Sequence, residues 1–296
     1  MIIYSRIENG KAYLEFQFFL KTDETDTDCA ANIRVYDMSG KLVLEIEYPL
    51  REEEPAKGML LYPHLWRGME DPYLYSVKVQ LQLRKQSENR ICEMTPDTLE
   101  KQLPLRMLEE HFTKGFFLNG VAYAVRPIVY HLPSQSSSDI SRLEQMQREL
   151  QLFQEMGANT ICLQVPEYDD DFVQLCDKRG FLVWCGDAKG QITQSCDLLT
   201  REASFPTDLY YYKKACWSKE PFLYIVNKSL KQQKNGNYSL TVYSNQKKVA
   251  LYVEGVLLEF QVSTPEFLFE EIPAGKRPLQ LTAEAGECRV SMTVYV

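Results

Sequence analysis

The chain has 296 residues, 45% hydrophobic and 25% charged, with a formal net charge of −8. These are the proportions of a water-soluble globular protein long enough for two or three domains. The acidic balance argues against nucleic acid as a partner, because there is no basic surplus to neutralise phosphates.

Residues 1 to about 108 read as all-β. Tyr13 to Phe18 and Asn32 to Tyr36 alternate apolar and polar side chains, the period of a half-buried strand. Asp37-Met38-Ser39-Gly40 is a turn signal, and Leu42 to Ile46 and Ser76 to Leu83 are further strands. Short strands separated by turns suggest an immunoglobulin-like sandwich. Glu52-Glu53-Glu54 reads as a solvated loop.

The middle of the chain changes period. Gly115-Phe116-Phe117-Leu118-Asn119-Gly120 places a tight Asn-Gly turn between two β-type runs, and Val121 to Tyr130 is expected as the next strand. A helix should follow, begun by a capping box at Ser141–Glu144 and striped inward by Leu143, Met146, Leu150 and Phe153. Gly157 suits its C-terminal cap. Asn159 to Val165 is a nearly continuous apolar strand, as parallel strands are. Asp169-Asp170-Asp171 opens a second helix, with Phe172, Leu175 and Cys176 inward and Gly180 as cap. Those aspartates lack the spacing and glycine of a calcium loop. Phe181 to Trp184 is a third strand, Gly186 to about Ser204 is polar loop or short helix, and Phe205 to Trp217 is a helix. From about residue 222 the chain alternates as β again.

Taken in order, these phrases resemble glycoside hydrolase family 2, which contains the β-galactosidases and β-glucuronidases. Leu65-Trp66 followed by Asp71-Pro72-Tyr73-Leu74-Tyr75 looks like the end of that family's central sandwich. Gly115–Gly120 matches the phrase leading into its catalytic barrel, and Asp177 to Trp184 is similar to its third-strand phrase. Ser239–Asn245 and Val249–Gly255 resemble a C-terminal sandwich found in many members. The resemblance implies a multidomain β plus α/β fold: an immunoglobulin-like β-sandwich (1–110), a truncated TIM-barrel-like domain of three parallel strands with helices (111–219), and a C-terminal immunoglobulin-like β-sandwich (220–296).

The truncation matters for chemistry. A TIM barrel takes roughly 250 residues and eight strands, whereas about one hundred separate Gly115 from Ser218. Retaining glycosidases use two carboxylates about 5 Å apart. The resemblance implies an acid/base Glu after an Asn on the fourth strand and a nucleophile Glu on the seventh; this sequence has no Asn-Glu dipeptide. The family's Arg and His-Tyr-Pro phrase on the second strand is replaced by Ile161 to Pro166, and no catalytic residue is assigned. His131 matches the family's His after the first strand, and Asp187 keeps one acidic position after the third. With Tyr168 and Trp184 they form a candidate ligand-binding group at the C-terminal strand ends, where barrels carry function. The competing reading is loop residues left from an ancestral site.

No Gly-rich phosphate loop or nucleophile elbow is present, and no cofactor is expected. The three histidines (His64, His111, His131) and eight cysteines have no zinc-type spacing, and the cysteines read as reduced thiols. The N-terminus has no apolar leader core and no run reaches membrane-spanning length, so cytoplasm is the expected location. The leading expectation is a non-hydrolytic relative that binds carbohydrate or a protein. One alternative is an active β-galactosidase- or β-glucuronidase-type hydrolase completed by homo-oligomerisation through the open barrel edge; another is a purely structural module.

Overall fold

The computed structural model describes residues 1–19, 27–49, 54–87, 90–93, 98–133, 139–163, 169–185, 206–274 and 278–295. Its helices are α1 (Asp139–Met156), α2 (Asp170–Arg179) and α3 (Asp208–Trp217). The chain divides into two units, 1–125 with 169–183, and 126–168 with 184–296.

The first unit is built on two antiparallel sheets. Ile2–Glu8 pairs with Lys11–Gln17, which pairs with Ala56–Leu61. Asn9 and Gly10 join the first two strands at φ 52° and 72°, the left-handed pair that a two-residue hairpin requires. In the second sheet Thr27–Tyr36 lies between Leu42–Pro49 and Tyr75–Ser87, and Tyr75–Ser87 also pairs with Thr98–Leu103. Alternation sends Ala12, Leu14 and Phe16 inward from one sheet and Ile33, Val35, Val77 and Val79 from the other, into one core. Each such large side chain contributes about 1.5–3 kcal/mol when fully buried. The Asp37 turn forms as expected: its Oδ1 accepts from the Ser39 and Lys41 amides at 2.9 Å, and the Ser39 hydroxyl bond leads in holding this carboxyl below its ordinary range.

In the second unit Pro127–Tyr130 and Thr160–Leu163 pair in parallel, from Pro127↔Thr160 to Tyr130↔Leu163. Leu182–Cys185 is the third strand of this sheet. Residues 160–163 are all buried, as a continuous apolar strand requires. The C-terminal segment forms two further sheets: Tyr238–Ser244 with Leu223–Ile225, Lys231–Gln232 and Glu266–Ile272, and Lys248–Val253 with Val256–Val262 and Leu279–Ala285, which pairs with Cys288–Val294. Leu240, Val242, Leu251, Phe267, Phe269 and Leu281 fill the core they share.

Three local expectations need correction. Val121–Tyr130 is not one strand: Val121–Ala122 finishes the Asn-Gly hairpin, and Pro127–Tyr130 begins a different sheet. Pro127 lacks an amide hydrogen, so it suits the first position of a strand. α1 already includes Asp139, so Ser141 lies within the helix rather than capping it. Leu143 is 42% exposed, while Met146, Leu150, Phe153 and Met156 form the buried stripe. Leu175 is half-buried beside the fully buried Phe172 and Cys176. Cys162 and Cys176 are buried free thiols, whereas Cys216 is exposed. The expected polar loop at 186–204 lies outside the described residues.

Candidate functional site

In the first unit the most distinctive phrases converge on Trp66. It is fully buried with Leu74, Leu118 and Leu182. Its indole Nε1 donates to the Asp177 carbonyl at 2.9 Å, its amide donates to the Leu105 carbonyl at 2.8 Å, and its carbonyl accepts from Asn119 Nδ2 at 2.8 Å. Asn119 Oδ1 accepts from the Met107 amide at 2.8 Å. Asn119 adopts φ 53° and Gly120 φ 78°, so the Asn-Gly turn closes Leu118 onto Val121 while the Asn side chain ties two other segments together. The Arg106 guanidinium lies 4.5 Å over the Trp66 ring and donates to Asp177 Oδ1 at 2.5 Å.

α2 presents Asp177 to this junction because both of its ends are fixed. Asp169 caps the N-terminus by accepting from the Phe172 amide at 2.9 Å, and Gly180 ends it in the left-handed region. A Cβ at Gly180 would lie 2.6 Å from backbone atoms of Gly68 and Met69, so only glycine permits that approach. Asp169 therefore caps the helix and Asp170 pairs with Lys101 at 2.9 Å, and no cluster of metal-ligating side chains occurs among the described residues.

Burial raises the Asp177 carboxyl above its ordinary value of 3.8, and the attraction of Arg106 offsets this only in part. A raised folded value means that the native state holds the proton more tightly. The stability contributed is complete below the unfolded value and is lost as pH rises through the folded value. The stability of the native chain relative to Asp177→Asn is therefore expected to fall as pH is raised from about 4 through that window. Urea unfolding of both proteins across the range measures it; a difference that grows with pH would show that Arg106 outweighs burial.

The second unit holds a matching tie. The Arg126 amide donates to Asn159 Oδ1 at 2.7 Å, and its Nη1 donates to the carbonyls of Gly157 and Trp217 at 2.9 and 2.8 Å. Tyr130 donates to buried Glu149 Oε2 at 2.5 Å, and Gln145 donates to Oε1 at 3.0 Å. Tyr130 also packs edge-on against Phe153, 5.9 Å between ring centres. Glu149 is thus engaged in the layer between α1 and the strand. It and Asp177 are the two buried carboxylates among the described residues.

Of the four candidate ligand residues, His131 directly follows the strand Pro127–Tyr130 and is exposed, and Trp184 is 43% exposed on Leu182–Cys185. Both belong to the second unit. Tyr168 and Asp187 lie outside the described residues. Sequence reasoning missed Arg106, Asp177 and Arg126 as organising groups. The available signals were an Asp at an inward position of α2 and an Arg directly before a strand-opening Pro.

No family model matches the chain. It is 28% identical over 180 residues to a β-glucuronidase of Bacteroides fragilis, covering 61% of this chain and 23% of that protein. It is 28% identical over 156 residues to the β-galactosidase large subunit of Lactobacillus acidophilus, covering 50% of this chain and 23% of the relative. The chain thus spans about a quarter of the length of these curated relatives. Among solved structures, an FMN-binding β-glucuronidase from Facaelibacterium prausnitzii L2-6 superposes with a TM-score of 0.79 at 15% identity, over 99% of this chain and 73% of that one. A β-glycosidase from Bacteroides vulgatus gives 0.73 at 12% identity, over 99% and 64%. At such identities the structures speak for the fold alone. The ordered phrases around Trp66, the shared fold and these relatives make the chain similar to the β-glucuronidases and β-galactosidases of glycoside hydrolase family 2.

Proposed function

We propose that this chain is a non-hydrolytic family 2-type protein of carbohydrate metabolism that binds a saccharide. In this reading it is organised as a sandwich (1–110), a truncated barrel (111–219) and a second sandwich (220–296). The observation that carries it is the short third segment of the barrel. After Leu182–Cys185, the last strand of a three-stranded sheet, only about twenty residues precede α3. A single βαβ unit takes about thirty. The strands on which the family carries its carboxylates have no room, and Glu149 and Asp177 are engaged in packing layers. His131, Tyr168, Trp184 and Asp187 are the residues we assign to ligand binding. A cytoplasmic location is part of this proposal; no helix among the described residues is long and apolar enough to cross a membrane.

Incubation with p-nitrophenyl β-D-glucuronide and β-D-galactoside is expected to release no nitrophenol above the buffer rate. Hydrolysis that disappears on substituting a residue of this chain would overturn the proposal. A second reading, an active hydrolase completed by another copy, draws on the edge position of Pro127–Tyr130 in its sheet. It requires turnover that rises with the fraction of oligomer in light scattering.

A further inference from the structure

The outer face of the first sandwich carries a cavity of about 700 Å³, within the range of small-ligand sites. Its floor follows from strand register. Val35 and Val77 point into the core, so the neighbouring Tyr36, Ser76 and Lys78 point outward. Tyr36 lies opposite Ser76, Ser76 opposite Gln102, and Lys78 opposite Glu100. Met38, Pro72 and Leu74 give the walls an apolar part, and Lys178 from the last turn of α2 closes one side.

Most of the polar groups here are already engaged. Glu100 accepts from Ser76 Oγ at 2.9 Å and pairs with Lys78 at 3.5 Å, while Lys78 Nζ lies 5.9 Å over the Tyr36 ring. Asp37 is held by its own turn. Two groups have no partner among the described residues, the Gln102 amide and the Lys178 ammonium. An aromatic face with flanking apolar surface suits the C–H face of a pyranose. A carboxamide suits its hydroxyls. The unpaired ammonium suits an anionic substituent.

We propose that this groove binds a saccharide bearing a carboxylate, a uronic acid residue, with Tyr36 under the sugar ring and Lys178 on the carboxylate. The ligand class rests on the carbohydrate reading above. The residues belong to the first unit, whereas His131 and Trp184 belong to the second, so the two assignments fail separately.

The test is calorimetric titration of the full chain with D-glucuronate and with D-glucose. Glucuronate is expected to bind at least fivefold more tightly. Tyr36→Ala should weaken both sugars tenfold or more. Lys178→Met, at an exposed position where folding is not at stake, should abolish the preference and leave glucose affinity unchanged. Binding that survives both variants but is lost in His131→Ala or Trp184→Ala overturns the groove and supports the strand-end site. Binding of neither sugar by a chain that still unfolds cooperatively overturns the groove as well.

Discussion

Replacing Trp66 with alanine is expected to destabilise the chain by about 4–5 kcal/mol. Truncating a fully buried Trp to Ala costs about 3–5 kcal/mol through lost transfer energy and the cavity left behind. Here the change also removes the indole hydrogen bond to the Asp177 carbonyl and the surface on which Arg106 stacks. Trp66→Phe retains most of the volume and loses the N–H donor, while the Asp177 carbonyl keeps the Gly180 amide at 3.2 Å, so about 1 kcal/mol is expected from the lost hydrogen bond. Urea unfolding followed by far-ultraviolet circular dichroism gives both values. A Trp66→Ala midpoint equivalent to less than 1 kcal/mol would mean that Trp66 does not organise the junction.

The second large effect is expected in the other unit. Gly157 adopts φ 90°, and a Cβ there would lie 2.5 Å from the Trp217 carbonyl oxygen and 2.7 Å from its carbon. An L-residue in the left-handed region costs about 1–2 kcal/mol. The clash is with backbone that cannot swing aside, and relieving it pulls the Gly157 and Trp217 carbonyls off Arg126. Gly157→Ala is therefore expected to lose about 3–4 kcal/mol, by adding an overpacking cost to the strain. Gly40→Ala separates the two contributions. Gly40 also has positive φ, 81°, but nothing lies within 4 Å of the Cβ position, so strain alone applies, about 1 kcal/mol. Equal losses in thermal unfolding would remove the steric argument.

Tyr224 illustrates how the aromatic run of α3 is used. Its phenol is pushed up to about 12, first by burial and then by the Asp208 carboxylate, and its ring stacks 3.8 Å from Tyr211. Tyr212 meets Tyr243 edge-on at 5.4 Å. Tyr211 and Tyr212 therefore pack α3 onto the strands that follow it in the second unit, while the Tyr210 hydroxyl donates to the Leu152 carbonyl of α1 at 3.0 Å.

Much of the fold was legible because the relevant physics is local. Asp169 and Gly180 bound α2 as expected, since a side-chain acceptor and a left-handed residue act within one turn. Asn119-Gly120 made the hairpin for the same reason. The break between Ala122 and Pro127 was not legible, because both segments satisfy a β pattern and only the choice of partner strand separates them. Of the candidate site, His131 and Trp184 were placed at strand ends by pattern alone, and the structure leaves both exposed.

By itself the sequence determined the strand and helix periods, the caps, the turns and the ordered phrases that resemble family 2, along with the missing Asn-Glu dipeptide. Each of these depends on residues a few positions apart. Only the tertiary structure decided what those phrases are for. Asp177 and Arg106 stand 71 positions apart and Asn119 and Trp66 53 apart, yet they close one buried junction. Hydrogen bonds and burial of that kind form only once the chain has folded back on itself, so no local pattern encodes them. The phrases around Trp66, Asn119 and Asp177 that carry the resemblance are groups that tie the first unit together.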